Sequence, residues 1–229
     1  MLWRKYTDRK LIKSVTSLER GEKSERRAVL RLLKFGVDPR AIFHDCYFYK
    51  SSGFYTQADL VVATSSGLIV FEIKDYGGWI YGDSHQKYWL QSLAYGREKH
   101  RFYNPVMQNR GHIRAIRDNL CRNWGIPIYS VVVFYGSCKL KDVVVDDDNV
   151  FVIRPNKIKK VMTDILQKKP ARYGDKREIM AVLGKSVSDG KNPKIVSYQR
   201  EAAYNISRHA LRRSLSLNPL SLIFRIFRW

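Results

Sequence analysis

The stretch Y55-TQADLVVATSSGLIVFEI-K74 decides the fold of this chain. Two runs rich in apolar and β-branched side chains, residues 55–64 and 68–74, flank the turn residues Ser65-Ser66-Gly67. So short a turn between two strands predicts an antiparallel hairpin. Because strand side chains alternate between two faces, Glu72 and Lys74 project together from a strand that is otherwise apolar.

The length of the turn sets which residues of the hairpin lie opposite one another. A two-residue loop of Ser65-Ser66 places Asp59 opposite Glu72, and a loop of Ser66-Gly67 places Asp59 opposite Lys74. Both registers put the three side chains on one face as near neighbours. A slip of one residue would turn Asp59 to the other face.

Two carboxylates this close repel each other, and burial adds to the cost. A divalent cation offsets both effects, and hard oxygen ligands suit Mg²⁺ or Mn²⁺. Such a metal polarises a phosphoryl oxygen and activates water, and Lys74 could orient that water or stabilise the developing charge. The alternative is a structural salt bridge between Glu72 and Lys74 on a half-exposed strand.

Two further side chains have a candidate place at this site. Glu25 lies on or beside the apolar face of a predicted helix, where its carboxylate either meets the site or pairs with a basic residue. Gln108 falls in the first turn of a helix that starts at Asn104-Pro105, where it could reach substrate or water. Its alternative is an ordinary exposed helix residue.

The remaining periodicities complete an α/β (α+β) fold with a central mixed sheet flanked by helices. They predict helices over residues 18–35, 105–124 and 156–167 and strands over residues 42–50, 79–82, 88–92, 128–135 and 150–153. The predicted organisation is an N-terminal segment 1–17, a domain 18–170 and a basic helical extension with a tail, 171–229.

Several motifs in order resemble the NERD (nuclease-related) domain of the PD-(D/E)xK nuclease superfamily. The resemblance covers roughly residues 18–168. The matching stretches are Gly21-x-x-Ser24-Glu25, Thr56-Gln57-Ala58-Asp59, Glu72-Ile73-Lys74, Gly78-x-Ile80-x-Gly82 and Asn104-Pro105-x-x-Gln108, and residues 130–134 and 150–155 also fit. Ser24 stands where the family usually has Gly. The resemblance implies a restriction-endonuclease-like core, catalytic Asp59, Glu72 and Lys74, and accessory Glu25 and Gln108. A shared fold does not prove a shared reaction.

The charge balance favours an anionic partner. Lys and Arg number 42 against 21 acidic residues, a formal net charge of +21. Nucleic acid, DNA ahead of RNA, is the first candidate, and an anionic membrane surface is the second. Three cysteines without a C-x-x-C pair and an N-terminus without a signal-peptide core favour a reducing cytoplasm.

Basic residues become denser after Arg154, where they could follow a phosphate backbone or form a solvated helix face. The candidate nucleic-acid-binding residues are Lys157, Lys159, Lys160, Lys168, Lys169 and Arg172. The tail 211–229 mixes apolar residues with Arg and could lie at a membrane interface, dock on a partner or pack on the domain.

Three functions are therefore open at the level of sequence. The first is a Mg²⁺- or Mn²⁺-dependent nuclease, the second a non-catalytic nucleic-acid-binding module, and the third a membrane-associated adaptor that uses its C-terminal tail.

Overall fold

The hairpin of residues 55–74 lies at the centre of a five-stranded sheet in the computed structural model, which describes residues 2–123, 125–199 and 201. The helices are α1 Leu2–Lys13, α2 Lys23–Phe35, α3 Pro105–Asp118, α4 Ile158–Leu166 and α5 Lys176–Asp189. The strands are β1 Ile42–Tyr49, β2 Tyr55–Thr64, β3 Gly67–Asp75, β4 Trp79–Asp83, β5 Tyr88–Leu93, β6 Glu98–Tyr103, β7 Ile128–Tyr135, β8 Lys139–Val144 and β9 Val150–Ile153.

The large sheet is mixed, with strand order β1-β2-β3-β7-β9. Strands β1, β2 and β3 are antiparallel, whereas β3, β7 and β9 run parallel. Helices α2 and α4 bury apolar side chains against one sheet face, and α3 and α5 cover the other. The fold is thus the predicted α+β architecture with a central mixed sheet flanked by helices.

The hairpin has the register expected for a Ser65-Ser66 loop, because Leu60 pairs with Phe71 and Thr64 with Gly67. Alternation along β3 also follows the prediction. Ile69, Phe71 and Ile73 enter the core cluster under α2 and α4, and Leu68 and Val70 enter the cluster under α3 and α5. Glu72 and Lys74 therefore project on the α3 side of the sheet.

Helix α2 ends as predicted, since Gly36 adopts a left-handed conformation with φ of 104° and its N–H bonds back to the carbonyls of Leu32 and Leu33. Two predicted helix bounds were wrong. The first helix begins at Lys23 and not at residue 18, and the helix from Pro105 ends at Asp118, where Asn119 caps it, and not near residue 124.

The sequence did not predict a second sheet of four strands, β6-β5-β4-β8. The hairpin-like pair β4 and β5 was expected, but β5 also pairs with β6, and β4 pairs in parallel with β8. The inner face of this sheet packs Ile80 and Trp89 against Phe134 of β7 and Val106 of α3.

The domain boundary at residue 170 remains a prediction. Beyond it, α5 contributes Ile179 and Leu183 to the core cluster on the α3 side of the large sheet. The predicted tail 211–229 lies outside the described residues. Among the described helices, none is both long and apolar enough to cross a membrane.

Candidate active site

Glu72 and Lys74 form an ion pair at the end of β3. The Lys74 Nζ lies 2.5 Å from Glu72 Oε1, and Glu72 is only 1% exposed. Burial alone would raise the pKa of Glu72, but hydrogen bonds from His112 and Lys74 and their positive charges outweigh it, so the pKa lies below its ordinary value. Burial would lower the pKa of Lys74, but the Glu72 carboxylate outweighs burial and raises it.

Asp59 lies beside this pair on the neighbouring strand. Its Oδ2 accepts a hydrogen bond of 2.7 Å from the backbone N–H of Ile73. Because Ile73 stands between Glu72 and Lys74 in the sequence, this bond holds the Asp59 carboxylate beside the pair. Burial raises the pKa of Asp59 well above its ordinary value, and the negative charges of Glu72 and Glu25 raise it further. The surroundings of Asp59 therefore disfavour its ionised form as long as no cation lies beside it.

Glu25 meets the site and also pairs with a basic residue, so both sequence alternatives hold. Its Oε2 lies 2.9 Å from Nε2 of His44, whose Nδ1 lies 2.9 Å from the Thr16 hydroxyl. His44 is buried at the contact between α2 and β1. Glu25 and Asp59 line the same cleft of about 600 Å³.

Gly21 is the residue that makes room for this arrangement. A Cβ on Gly21 would lie 2.3 Å from Glu25 Oε2 and 2.6 Å from the His44 ring, and its φ of +67° also disfavours other residues. The Gly21-x-x-Ser24-Glu25 spacing thus has a physical reason, because the glycine backbone lies directly against the glutamate and its histidine partner.

Gln108 reaches the pair from α3. Its Oε1 accepts a hydrogen bond of 3.0 Å from Lys74 Nζ. The side chain of Asn104 caps the helix by accepting from the N–H groups of Val106 and Met107, and Pro105 occupies the first turn. This start fixes the first turn of α3 over the end of β3, so Gln108 is not merely an exposed helix residue.

His112 is a site residue that the sequence reasoning missed. Its Nε2 lies 3.2 Å from Glu72 Oε2, its Nδ1 lies 2.8 Å from the Thr56 hydroxyl, and the residue is only 5% exposed. The spacing carried a signal, because His112 follows Gln108 by four residues and therefore shares its helix face. Both oxygens of Glu72 are consequently held, one by Lys74 and the other by His112.

A second missed group lines the cleft beside Asp59. Arg20 Nε lies 2.5 Å from Asp45 Oδ2, and Gln57 Nε2 donates to Asp45 Oδ1 at 2.7 Å. Gln57 shares a strand face with Asp59 by period-two spacing, which was the available signal. Asp45 has a φ of 59°, an uncommon conformation for a residue other than glycine.

The candidate nucleic-acid-binding residues do not enter this cleft, since none of these six described residues lines it. Lys168 is half-buried, with its Nζ 3.2 Å from Asn149 Oδ1 and 4.6 Å from the Tyr129 ring centre, so it serves packing. The other five are exposed, namely Lys157, Lys159, Lys160, Lys169 and Arg172.

A metal at this site would rest on few protein ligands. Within residues 2–123, 125–199 and 201, no three His, Cys, Asp or Glu side chains form a group that could hold a metal ion. Mg²⁺ is commonly bound by one or two carboxylates, with waters and substrate phosphates completing its shell. The pair Asp59 and Glu72 fits that donor set, and a cation there would favour the ionised form of Asp59, whose pKa is raised by burial and by the charges of Glu72 and Glu25.

Comparison with known proteins adds independent information about this arrangement. The family model of the nuclease-related domain matches residues 20–135, half of the chain. An uncharacterized protein of Bacillus anthracis is 34% identical over 142 residues, which cover 61% of this chain and 63% of that relative. The match thus spans less than two thirds of the relative's length. No solved structure matches this chain.

Proposed function

Because this chain belongs to the nuclease-related domain family, we propose that it hydrolyses phosphodiester bonds in DNA, with RNA as the second candidate substrate, using Mg²⁺ or Mn²⁺. The observation that carries the proposal is that the Asp59 carboxylate, bonded to the Ile73 N–H, lies beside the ion pair of Glu72 and Lys74. A structural salt bridge would need only Glu72 and Lys74. The neighbouring Asp59 adds a repelling charge that stability alone does not explain.

Asp59 and Glu72 are the residues that would hold the cation. They offer hard oxygen donors, and Asp59 lines a cleft open to substrate. When bound there, Mg²⁺ or Mn²⁺ supplies Lewis-acid activation of the scissile phosphate and of water. The ion pair with Lys74 and the bond to His112 hold the Glu72 carboxylate in one orientation before any ligand arrives.

Lys74 assists the attack as an ammonium, because the Glu72 carboxylate raises its pKa. It therefore donates hydrogen bonds that orient the attacking water and stabilise charge on the phosphoryl oxygens, and it does not remove a proton. In the reaction the water oxygen bonds to phosphorus and the bond from phosphorus to the leaving oxygen breaks. The attacking water gives a proton to solvent, and the leaving oxygen takes a proton from solvent to become a hydroxyl group.

Gln108, Glu25 and His112 support this arrangement. Gln108 limits the movement of Lys74 by accepting a hydrogen bond from its ammonium group, and His112 holds the second oxygen of Glu72. Glu25 lines the same cleft as Asp59 and is held there by its bond to His44. These residues act mainly by positioning the groups that contact substrate and cation.

The test is incubation of the purified chain with labelled single- and double-stranded DNA and RNA in Mn²⁺ or Mg²⁺. The wild type is expected to cut with metal and to stop in excess chelator. Asp59→Ala and Lys74→Ala should lose cleavage and retain nucleic-acid binding. If both variants cut as fast as the wild type, the assigned residues do not perform the reaction.

A non-catalytic nucleic-acid-binding module is the second candidate. It is favoured by the net charge of +21 and by the lack of a three-residue metal group among the described side chains. It predicts salt-sensitive binding and no cleavage in any divalent metal, so the same incubation separates the two functions.

A further inference from the structure

The small sheet β6-β5-β4-β8 has one face buried and one open to solvent. Ile80, Trp89, Phe102 and Leu140 belong to the inner face and pack toward β7 and α3. Cross-strand pairs place the other side chains together on the outer face, where Tyr88 pairs with Tyr103, Leu90 with Arg101 and Trp79 with Lys139. No helix or strand in the described part of the chain uses this outer face as a core surface.

The outer face combines aromatic rings with positive charge, and we call it the basic aromatic face. Its rings are Trp79, Tyr81, Tyr88 and Tyr103, and its cations are Lys99, Arg101, Lys139 and Lys141. Tyr88 is 48% and Tyr103 46% exposed, although large aromatic side chains gain by burial. Two acids lie beside these four cations, namely Asp142, which pairs with Tyr81, and Asp83, which lines the same cleft.

Rings and cations on this face are close enough to contact one ligand together. Lys141 Nζ lies 5.1 Å from the Trp79 ring centre and Lys87 Nζ lies 5.5 Å from that of Tyr88. The rings of Tyr88 and Tyr103 meet edge to face at 6.4 Å. Beside them a cleft of about 570 Å³ opens between Tyr81, Leu90 and Arg101. A ligand whose flat ring stacks on these tyrosines would have its attached anionic group next to a lysine ammonium or the Arg101 guanidinium.

The segment that carries most of this face begins and ends beside two of the proposed catalytic residues. Strands β4 to β6 lie between Lys74 at the end of β3 and Gln108 in the first turn of α3. The hydrogen bond of 3.0 Å from Lys74 to Gln108 closes the base of this insertion. Three of the four strands of the small sheet therefore leave and rejoin the core at the site where a phosphodiester is expected to bind.

We propose that the basic aromatic face binds single-stranded nucleic acid, with unpaired bases stacked on the exposed tyrosines and phosphates held by the neighbouring lysines and Arg101. This inference rests on the proposed function for the class of substrate. Stacking requires free base faces, which a duplex keeps hidden between its pairs. An anionic lipid surface would satisfy the cations but has no flat ring for the tyrosines. Single strands are therefore the substrate class that the face selects.

The test measures binding of a fluorescein-labelled oligothymidine strand by anisotropy in excess chelator, with the full chain carrying Lys74→Ala so that cleavage cannot interfere. One variant adds Tyr88→Val and Tyr103→Val, which keep side chains suited to strands. A second adds Arg101→Gln alone, an exposed position that is expected to leave folding unchanged. The matched control adds Tyr6→Val and Arg9→Gln on α1, where Tyr6 is 67% exposed.

The tyrosine variant is expected to weaken single-strand binding roughly tenfold or more and duplex binding much less. Arg101→Gln should lower the slope of log affinity against log salt concentration by about one, because one phosphate contact is lost. The α1 control should bind as the parent does, and all variants should keep the parent's melting temperature. Equal single-strand affinity in parent, tyrosine variant and Arg101→Gln would overturn the proposal. The proposal would also be overturned if the tyrosine variant or Arg101→Gln no longer sedimented with phosphatidylserine vesicles but still bound the oligonucleotide as the parent does. That result would assign the face to lipid.

Failure of this proposal differs from failure of the proposed function. If the tyrosines prove dispensable while the wild type cuts DNA in Mn²⁺, only the binding face is wrong. If the wild type never cuts but the tyrosine variant loses single-strand binding, the face stands and the catalytic assignment falls.

Discussion

Replacing Asp59 by Asn should stabilise the chain in the absence of metal and remove the stabilisation that metal gives. The hairpin register, extended by one residue from the pair Leu60–Phe71, places Asp59 next to Glu72. Burial raises the pKa of Asp59, and the charges of Glu72 and Glu25 raise it further. Asn keeps a carbonyl oxygen in the same place, so the hydrogen bond from the Ile73 N–H survives the substitution. The change therefore removes charge and leaves the local backbone contact.

The magnitude follows from Coulomb's law at the spacing of cross-strand neighbours. Repulsion between Asp59 and Glu72 at about 5 Å, with an effective dielectric constant of about 20, costs roughly 3 kcal/mol. Attraction to Lys74 at a diagonal distance of about 7.5 Å offsets roughly 2 kcal/mol of it. The remaining 1 kcal/mol or so corresponds to a rise of about 2–4 °C in melting temperature for a chain of this size.

The assay is thermal unfolding of wild type and Asp59→Asn in excess chelator and again in Mn²⁺. A ligand present at about one hundred times its Kd stabilises the wild type by roughly 2.7 kcal/mol, and Asp59→Asn should lose most of this gain. Asp38→Asn is the control, because Asp38 is exposed and pairs with Arg40. A melting temperature of Asp59→Asn below that of wild type in chelator, or an undiminished shift in Mn²⁺, would refute the reasoning.

The remaining predictions concern three other residues. Lys74→Ala should lower the rate of cleavage by about 10²–10³-fold with little change in binding, measured by single-turnover kinetics beside the exposed Lys185→Ala; an unaltered rate would argue against its role. His112→Leu should destabilise the chain by about 1–3 kcal/mol in urea unfolding, because buried Glu72 and half-buried Thr56 both lose a partner; a neutral result would show that these bonds contribute nothing. Gly21→Ala should lower both stability and cleavage, since its Cβ would lie 2.3 Å from Glu25 Oε2, whereas Gly184→Ala in an open position of α5 should stabilise by about 0.5–1 kcal/mol; equal effects of the two substitutions would remove the steric explanation.

The central hairpin could be predicted because its information is local. The turn at Ser65-Ser66 fixes the register, and period-two alternation then fixes the face of every side chain, including Glu72 and Lys74. The end of α2 at Gly36 is equally local, since it needs only a residue that tolerates positive φ.

The small sheet could not be predicted because its strands depend on distant pairing. Strand β6, EKHRFY, is mostly exposed and charged, so it lacks the apolar alternation of a half-buried strand. Strand β8 pairs in parallel with β4, far away in sequence, and no turn signal announces that partner.

The residues of the candidate site also divide into those that local sequence predicts and those that depend on distant packing. Asp59, Glu72 and Lys74 followed from strand geometry within one hairpin. Placing His112 against Glu72 required knowing how α3 crosses the sheet, and the hydrogen-bonded distance of 3.2 Å depends on that packing. The pairing of Glu25 with His44 likewise depends on where α2 meets β1.

The most direct measurement of the central claim is an anomalous difference map, recorded at the manganese edge, from crystals of this chain grown with Mn²⁺. We expect a peak between the carboxylates of Asp59 and Glu72, within reach of a phosphate placed in the cleft, and no such peak in crystals of Asp59→Asn. A map with manganese bound only elsewhere on the protein, at concentrations that support cleavage, would contradict it.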